Sequence, residues 1–248
     1  MISKLMRNRG DDLGIFRCYQ RRPYTLVKHQ PSLVLAIHGF GATPHTTPFQ
    51  VLTETKGKQY KAPTLFQKNG QADVSFNDDL KQIFHHIGKS DVKDIWAHSA
   101  GALLALEAAK KCEMDTILLI NPFIKPYQPH FNFTCKIFKW LPKTILKKMF
   151  VPNGPIPDDQ KGWWLDRSFW SVIKLNDLRK ATMADLKIVG NPKVIIIQAV
   201  DDRTSHPDSA EILKHKIYEK NPHLKVDVFM ISGGHQITQQ CLSLLKEM

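Results

Sequence analysis

The chain has 248 residues, 42% of them hydrophobic, and a formal net charge of +12. That length fits one domain with room for an insertion, and that composition supports a sizeable core and excludes a disordered chain. No apolar run approaches the roughly 18 residues of a membrane-crossing helix, and the basic stretch Met1–Arg9 lacks the apolar segment of a signal peptide.

The predicted elements alternate. Leu33–Ile37 reads as a buried strand ending in glycine-rich turn signals. Phe76–Lys89 reads as a helix with Phe76, Leu80, Ile83, Phe84 and Ile87 on one stripe and acidic residues in its first turn. Lys93–Ala97 is a strand, and the Ala- and Leu-rich segment 100–111 is a buried helix. Ile117–Ile120 is a strand stopped by Asn121-Pro122. Val194–Ala199 is a strand, Pro207–Lys220 a helix, Val226–Ile231 a strand and Gln236–Glu247 a closing helix. Apolar strands alternating with helices predict an α/β fold, a mostly parallel sheet covered on both faces, with ligands at the carboxyl ends of its strands.

Phe123 to about Gly190 breaks this rhythm. It holds four of the five tryptophans (Trp140, Trp163, Trp164, Trp170) and 12 Lys/Arg against 5 Asp/Glu. Prolines 142, 152, 155 and 157 divide it into short pieces. Residues 123–190 are therefore expected to form an inserted aromatic, basic cap between two halves of the core, 1–122 and 191–248.

Four segments at predicted strand ends carry chemistry. Ser99, in Trp96-Ala97-His98-Ser99-Ala100-Gly101, lies between a strand and a helix, where a sharp turn exposes one hydroxyl. Small residues are needed two positions either side because the strand and helix backbones nearly touch; Ala97 stands where the usual pattern has glycine, and Gly101 supplies the other. His235, after Ser232-Gly233-Gly234, follows the last strand and suits a general base. Asp201 and Asp202 follow Val194–Ala199, and spacing from the strand end favours Asp202 as the group that holds the imidazole. His38-Gly39-Phe40-Gly41-Ala42 follows the first strand; the Phe40 amide, with that of Ala100, is expected to form an oxyanion hole. The order Ser99, Asp202, His235 matches one known order for a serine triad. His98 is expected to pack or bond locally, His85 and His86 to serve as surface or core groups, Cys112 to be buried and Arg203 to be a solvated loop charge.

With these residues in view, the chain resembles the α/β-hydrolases over Leu33–Met248, and more closely the small capped bacterial carboxylesterases and monoacylglycerol lipases. The most specific part is Gln198-Ala199-Val200-Asp201-Asp202 followed by Pro207-Asp208-Ser209-Ala210; Gln236-Ile237-Thr238 after His235 is similar to that group as well. The resemblance implies the acid at Asp202, the first oxyanion amide at Phe40, and an esterase working through an acyl-enzyme.

The expected function is cleavage of carboxylic esters with apolar acyl or aryl groups, lipid-derived ones included. The alternatives are a thioesterase, amidase or acyltransferase on the same sheet, or a non-catalytic binding module, which the presence of all three triad residues argues against. The expected partner is a small-molecule ester, with an anionic membrane surface facing the basic cap. No helix-turn-helix, RNA-binding or zinc signature supports nucleic acid. Four scattered cysteines (Cys18, Cys112, Cys135, Cys241) show no metal spacing, so no metal or other cofactor is expected, and free thiols point to a reducing, cytoplasmic location.

Overall fold

In a computed structural model the described residues are 33–44, 53, 57–68, 70–90, 92–151, 165–236 and 239–247. Met1–Gln30, Cys18, Trp163, Trp164, three of the cap prolines, and Ile237 and Thr238 lie outside them. The elements in chain order are β1 (Leu33–Ile37), β2 (Gln59–Lys61), β3 (Gln67–Lys68), β4 (Gln71–Ala72), α1 (Phe76–Lys89), β5 (Val92–His98), α2 (Gly101–Ala109), β6 (Thr116–Ile120), α3 (Phe131–Phe138), α4 (Lys143–Lys148), β7 (Phe150–Val151), β8 (Arg167–Ser168), α5 (Phe169–Ala184), β9 (Lys193–Ala199), α6 (Ser209–Lys220), β10 (Val226–Ile231) and α7 (Gln239–Glu247).

Six strands form one sheet in the order β10-β9-β6-β5-β1-β2, every pair parallel. Alternate residues of its strands face opposite ways. Leu35, Ile37, Ile95, Ala97, Ile117, Leu119, Val194 and Ile196 meet α1, α2, α5 and α6 in one apolar cluster. Val34, Ala36, Trp96, Leu118, Ile120, Ile195 and Ile197 form the second cluster with Cys241 and Leu245 of α7. The near-continuous apolar runs of the central strands follow from this double burial.

Helix α2 has no polar stripe. Every residue except Glu107 is buried, as an all-apolar helix demands. Burying Leu103, Leu104 and Leu106 contributes roughly 1.5–3 kcal/mol each. The helix that starts at the Ser99 turn is thus anchored along its whole length.

A second, four-stranded sheet runs β3-β4-β8-β7. It ties the chain before α1 to the stretch 123–190 through the parallel pair β4–β8. Within that stretch Leu146 of α4 and Val172, Ile173, Leu175 and Leu178 of α5 share the apolar cluster of α2. Arg179 of α5 donates from Nη1 to the Ile124 carbonyl (2.7 Å) and from Nη2 to Asn132 Oδ1 (2.6 Å), fixing the start of the stretch to its last helix.

Candidate active site

All three residues expected to act together lie at the carboxyl ends of parallel strands. Ser99 follows β5 with φ +55°, the left-handed region that a non-glycine residue enters only when its surroundings enforce it. Here they do. The Ser99 amide donates to the Ile120 carbonyl (2.9 Å), and its carbonyl accepts from Ala102 (3.1 Å) and Phe123 (3.2 Å). Gly101 is indispensable to the turn: a Cβ there would lie 2.6 Å from the carbonyl oxygens of both Ile37 and His38. Ala97, by contrast, fits fully buried in the position where glycine is usual.

The Ser99 hydroxyl donates to His235 Nε2 (2.7 Å), and His235 Nδ1 donates to Asp202 Oδ2 (2.7 Å). The carboxylate only accepts, so it fixes the Nδ1–H tautomer and leaves Nε2 as an acceptor aimed at the serine. Asp202 is fully buried. Its Oδ1 accepts from the amides of Thr204 (2.7 Å) and Ser205 (2.9 Å), and its Oδ2 also accepts from Gln198 Nε2 (3.4 Å). Burial works to raise the Asp202 pKa. The hydrogen bond and charge of His235, with the two amides, outweigh it and hold the carboxyl below its ordinary value. Asp201, its neighbour, is exposed and accepts from the Gly233 amide (3.3 Å), tethering the loop that carries His235.

Two further residues hold that loop. His98 Nε2 donates to the His235 carbonyl (2.8 Å), so its bonding serves the site's framework. Asn121 Nδ2 donates to the same carbonyl (2.8 Å), while its Oδ1 accepts from the Ala199 amide (2.7 Å). Asn121 has φ +46°, which asparagine tolerates well, and so bridges the ends of β6, β9 and β10. From sequence alone Asn121 was legible only as a strand stop. Its place at a strand end, like the other site residues, was the available signal.

The loop after β1 is braced from below. His38 Nδ1 donates to the Gly39 carbonyl (2.9 Å), and its Nε2 accepts from the Leu65 amide (3.0 Å). Asp79 of α1 accepts from the amides of Phe66 (3.0 Å) and Ser75 (3.2 Å), and Phe66 packs edge-to-face on Phe40. This loop runs so close to the turn at Ser99 that a Cβ on Gly39 would lie 3.1 Å from Ser99 Cβ. Phe40 follows directly, and Ala100 directly follows Ser99; both are buried. Gly41 (φ +79°) completes the turn against the Arg167 side chain, where a Cβ would come within 2.8 Å of Cδ.

Burial lowers His38 to about 4, partly opposed by its bond to Gly39. Burial, reinforced by the neighbouring His235, lowers His98 to about 3. Both are neutral at pH 7. Between pH 6.5 and about 4 the unfolded chain takes up both protons and the folded chain takes neither, so stability is lost as pH falls. Asp79, raised to about 6 chiefly by burial, works the other way by one proton between its ordinary 3.8 and 6. His86, also lowered, chiefly by burial, adds to the effect of His38 and His98, so the stability of folding is expected to fall on acidification through this window. Urea unfolding at pH 6 and pH 4.5 checks it, and equal stability at the two values would contradict the assignment.

No protein-family model matches the chain, and no curated protein does. Solved structures do. A monoacylglycerol lipase from Paleococcus ferrophilus superposes with TM-score 0.64 at 14% identity, over 88% of this chain and 95% of its own. A soluble variant of the monoglyceride lipase from Saccharomyces cerevisiae gives 0.65 at 18%, over 89% and 86%. The chain has the α/β-hydrolase fold. A third solved structure, the thioesterase domain from the curacin biosynthetic pathway, shares that fold with TM-score 0.51 at 16% identity, over 88% and 90%. In an α/β-hydrolase fold the ends of successive parallel strands converge on one rim, and Ser99, Asp202 and His235 meet there.

Proposed function

We propose that this protein is a serine hydrolase that cleaves carboxylic esters through Ser99, His235 and Asp202. The observation that carries the reading is the unbroken Asp202–His235–Ser99 hydrogen-bond chain, 2.7 Å at each link. His235 Nε2 takes the hydroxyl proton as Ser99 Oγ attacks the acyl carbonyl. The amides of Phe40 and Ala100 receive the oxyanion. His235 then returns the proton to the departing alcohol, leaving an acyl-enzyme, and activates the water that hydrolyses it. Asp202, held ionised below its ordinary pKa, stabilises the imidazolium formed at both stages. His98 and Asn121 act as positioning residues through the His235 carbonyl.

The acyl group is apolar in this reading and residues 123–190 cap it. A small cavity of about 110 Å³ lies in that stretch, lined by Phe131, Cys135, Val151, Phe169 and Val172 with Gln128 and Thr134. Phe123 joins it to the nucleophile: its amide donates to the Ser99 carbonyl and its ring packs on Phe131. The lipases among the structural neighbours favour lipid-derived esters, and the thioesterase domain keeps a thioester, with the same carbonyl chemistry, as the second reading. A cytoplasmic location belongs to this reading, since the four cysteines are scattered along the sequence with no disulfide-framework spacing.

Fluorophosphonate labelling tests the proposal, because it requires a nucleophile that is both accessible and activated. The tag is expected on the peptide containing Ser99 and is expected to be lost in His235→Ala. A tag on another serine, or a protein inert to the reagent while folded, would remove Ser99 from the role.

A further inference from the structure

The stretch from Phe131 to Phe150 contains five lysines and no acidic residue. Its two short helices bury one face only. On α3 the inward stripe is Phe131, Thr134, Cys135 and Phe138, at helical spacing, three of them in the apolar core or packed against it and Thr134 lining the cavity beneath. On α4 Leu146 is fully buried. Yet the opposite side is apolar too. Phe133, Ile137, Trp140, Leu141, Ile145 and Phe150 are all exposed, Phe133 at 63% and Trp140, in the connecting turn, at 89%. Single exposed apolar residues are ordinary, but six within 20 residues, on two helices that already have their core contacts, form an apolar surface with no partner among the described residues.

The lysines decide what covers that face. Lys136, Lys139, Lys143, Lys147 and Lys148 are all exposed and interleaved with the six apolar side chains. Lys139 pairs with Asp177, and Lys143 lies 5.1 Å from the Trp170 ring centre. A protein partner favours an apolar patch depleted of lysine, with charge at the rim. Here charge of one sign runs through the apolar residues. Long lysine stems can lie along an apolar layer with their ammonium groups at its polar boundary, and an exposed tryptophan suits the same boundary.

We propose that the α3–α4 segment docks on an anionic lipid surface, with Trp140 and its apolar neighbours entering the headgroup layer and the lysines meeting the lipid charges. The proposal is independent of the hydrolase reading. Binding is measured with the full chain carrying Ser99→Ala, so that no lipid is consumed whatever its catalytic role.

The test is sedimentation with phosphatidylcholine vesicles, with and without phosphatidylglycerol. Binding to the anionic vesicles is expected to be at least about tenfold tighter and to weaken with added salt. Replacing Lys136, Lys147 and Lys148 together by Gln is expected to lower that affinity on the order of 100-fold, since each basic group near such a surface contributes about fivefold. Trp140→Ala is expected to lower it about tenfold and to abolish the blue shift of tryptophan emission on binding. All four side chains are exposed, and unchanged circular dichroism verifies folding. Equal binding to the two vesicle types, or an unaltered affinity in the lysine variant, overturns the proposal. So does a self-association abolished by Trp140→Ala in a protein that ignores vesicles, which would assign the face to a second copy of the chain.

Discussion

Ser99→Ala is expected to lower turnover of a short-chain p-nitrophenyl ester by at least about 10³-fold, with little change in the unfolding midpoint. Among the described residues the hydroxyl makes one hydrogen bond, to His235, whereas the turn is held by the backbone of residue 99: its amide to Ile120, its carbonyl to Ala102 and Phe123. In the proposed reading, removing Oγ therefore deletes the nucleophile and spares the architecture. What survives should be the contribution of the oxyanion donors and of binding, and KM should move far less than kcat. Steady-state kinetics on the purified variant decide it. Retention of more than about a tenth of the rate would mean that another group attacks the ester.

Gly101→Ala is expected to damage the fold where Ser99→Ala does not. The added methyl would sit 2.6 Å from two backbone carbonyl oxygens and 2.9 Å from Ile37 Cγ2. No rotamer relieves a clash with backbone, so β1 and α2 must part. Overpacking costs about 1–3 kcal/mol in ordinary sites, and this one belongs at or beyond the upper end. A loss of about 3 kcal/mol corresponds to a midpoint roughly 10 °C lower for a domain of this size. Because β1 leads into Gly39 and α2 begins beside Ser99, the ester activity of the surviving folded protein should fall as well. A calorimetric scan showing an unchanged midpoint would mean that the two backbones are not so close.

The contrast between Gly101 and Ala97 explains why the nucleophile turn was readable despite its altered motif. At position 101 geometry forbids any side chain; at position 97 a methyl is accommodated between β1 and β6. Five of the six strands of the main sheet, and the helices between them, were legible for a related reason. Burial on both faces writes a continuous apolar run, and α1 writes its single stripe over Phe76–Lys89. The sixth strand, β2, reads Gln59-Tyr60-Lys61 and is exposed throughout. It pairs only through backbone groups at the sheet edge, so its side chains carry no record of it. The two-residue strands β3, β4, β7 and β8 are too short to show any period. Composition set the stretch 123–190 apart, yet gave no sign that α5 would share a cluster with α2. Spacing from the strand end favours Asp202 over its neighbour Asp201; the physical distinction lies in burial, Asp202 inside and Asp201 out, which depends on a turn after β9 that no local pattern encodes.

Among the described residues strand β10 is the outermost of the sheet on its side, with β9 as its single neighbour and much of its length half open to solvent. The loop after it delivers the imidazole. In the proposed reading the site's capacity to act therefore hangs on one edge of the sheet, while serine and carboxylate stand on interior strands. A small detachment of that margin, well short of unravelling the core, would disarm the protein and let it rearm on reclosure. Warming, mild denaturant or a ligand gripping the periphery could thus tune activity across a range in which the bulk of the structure stays intact.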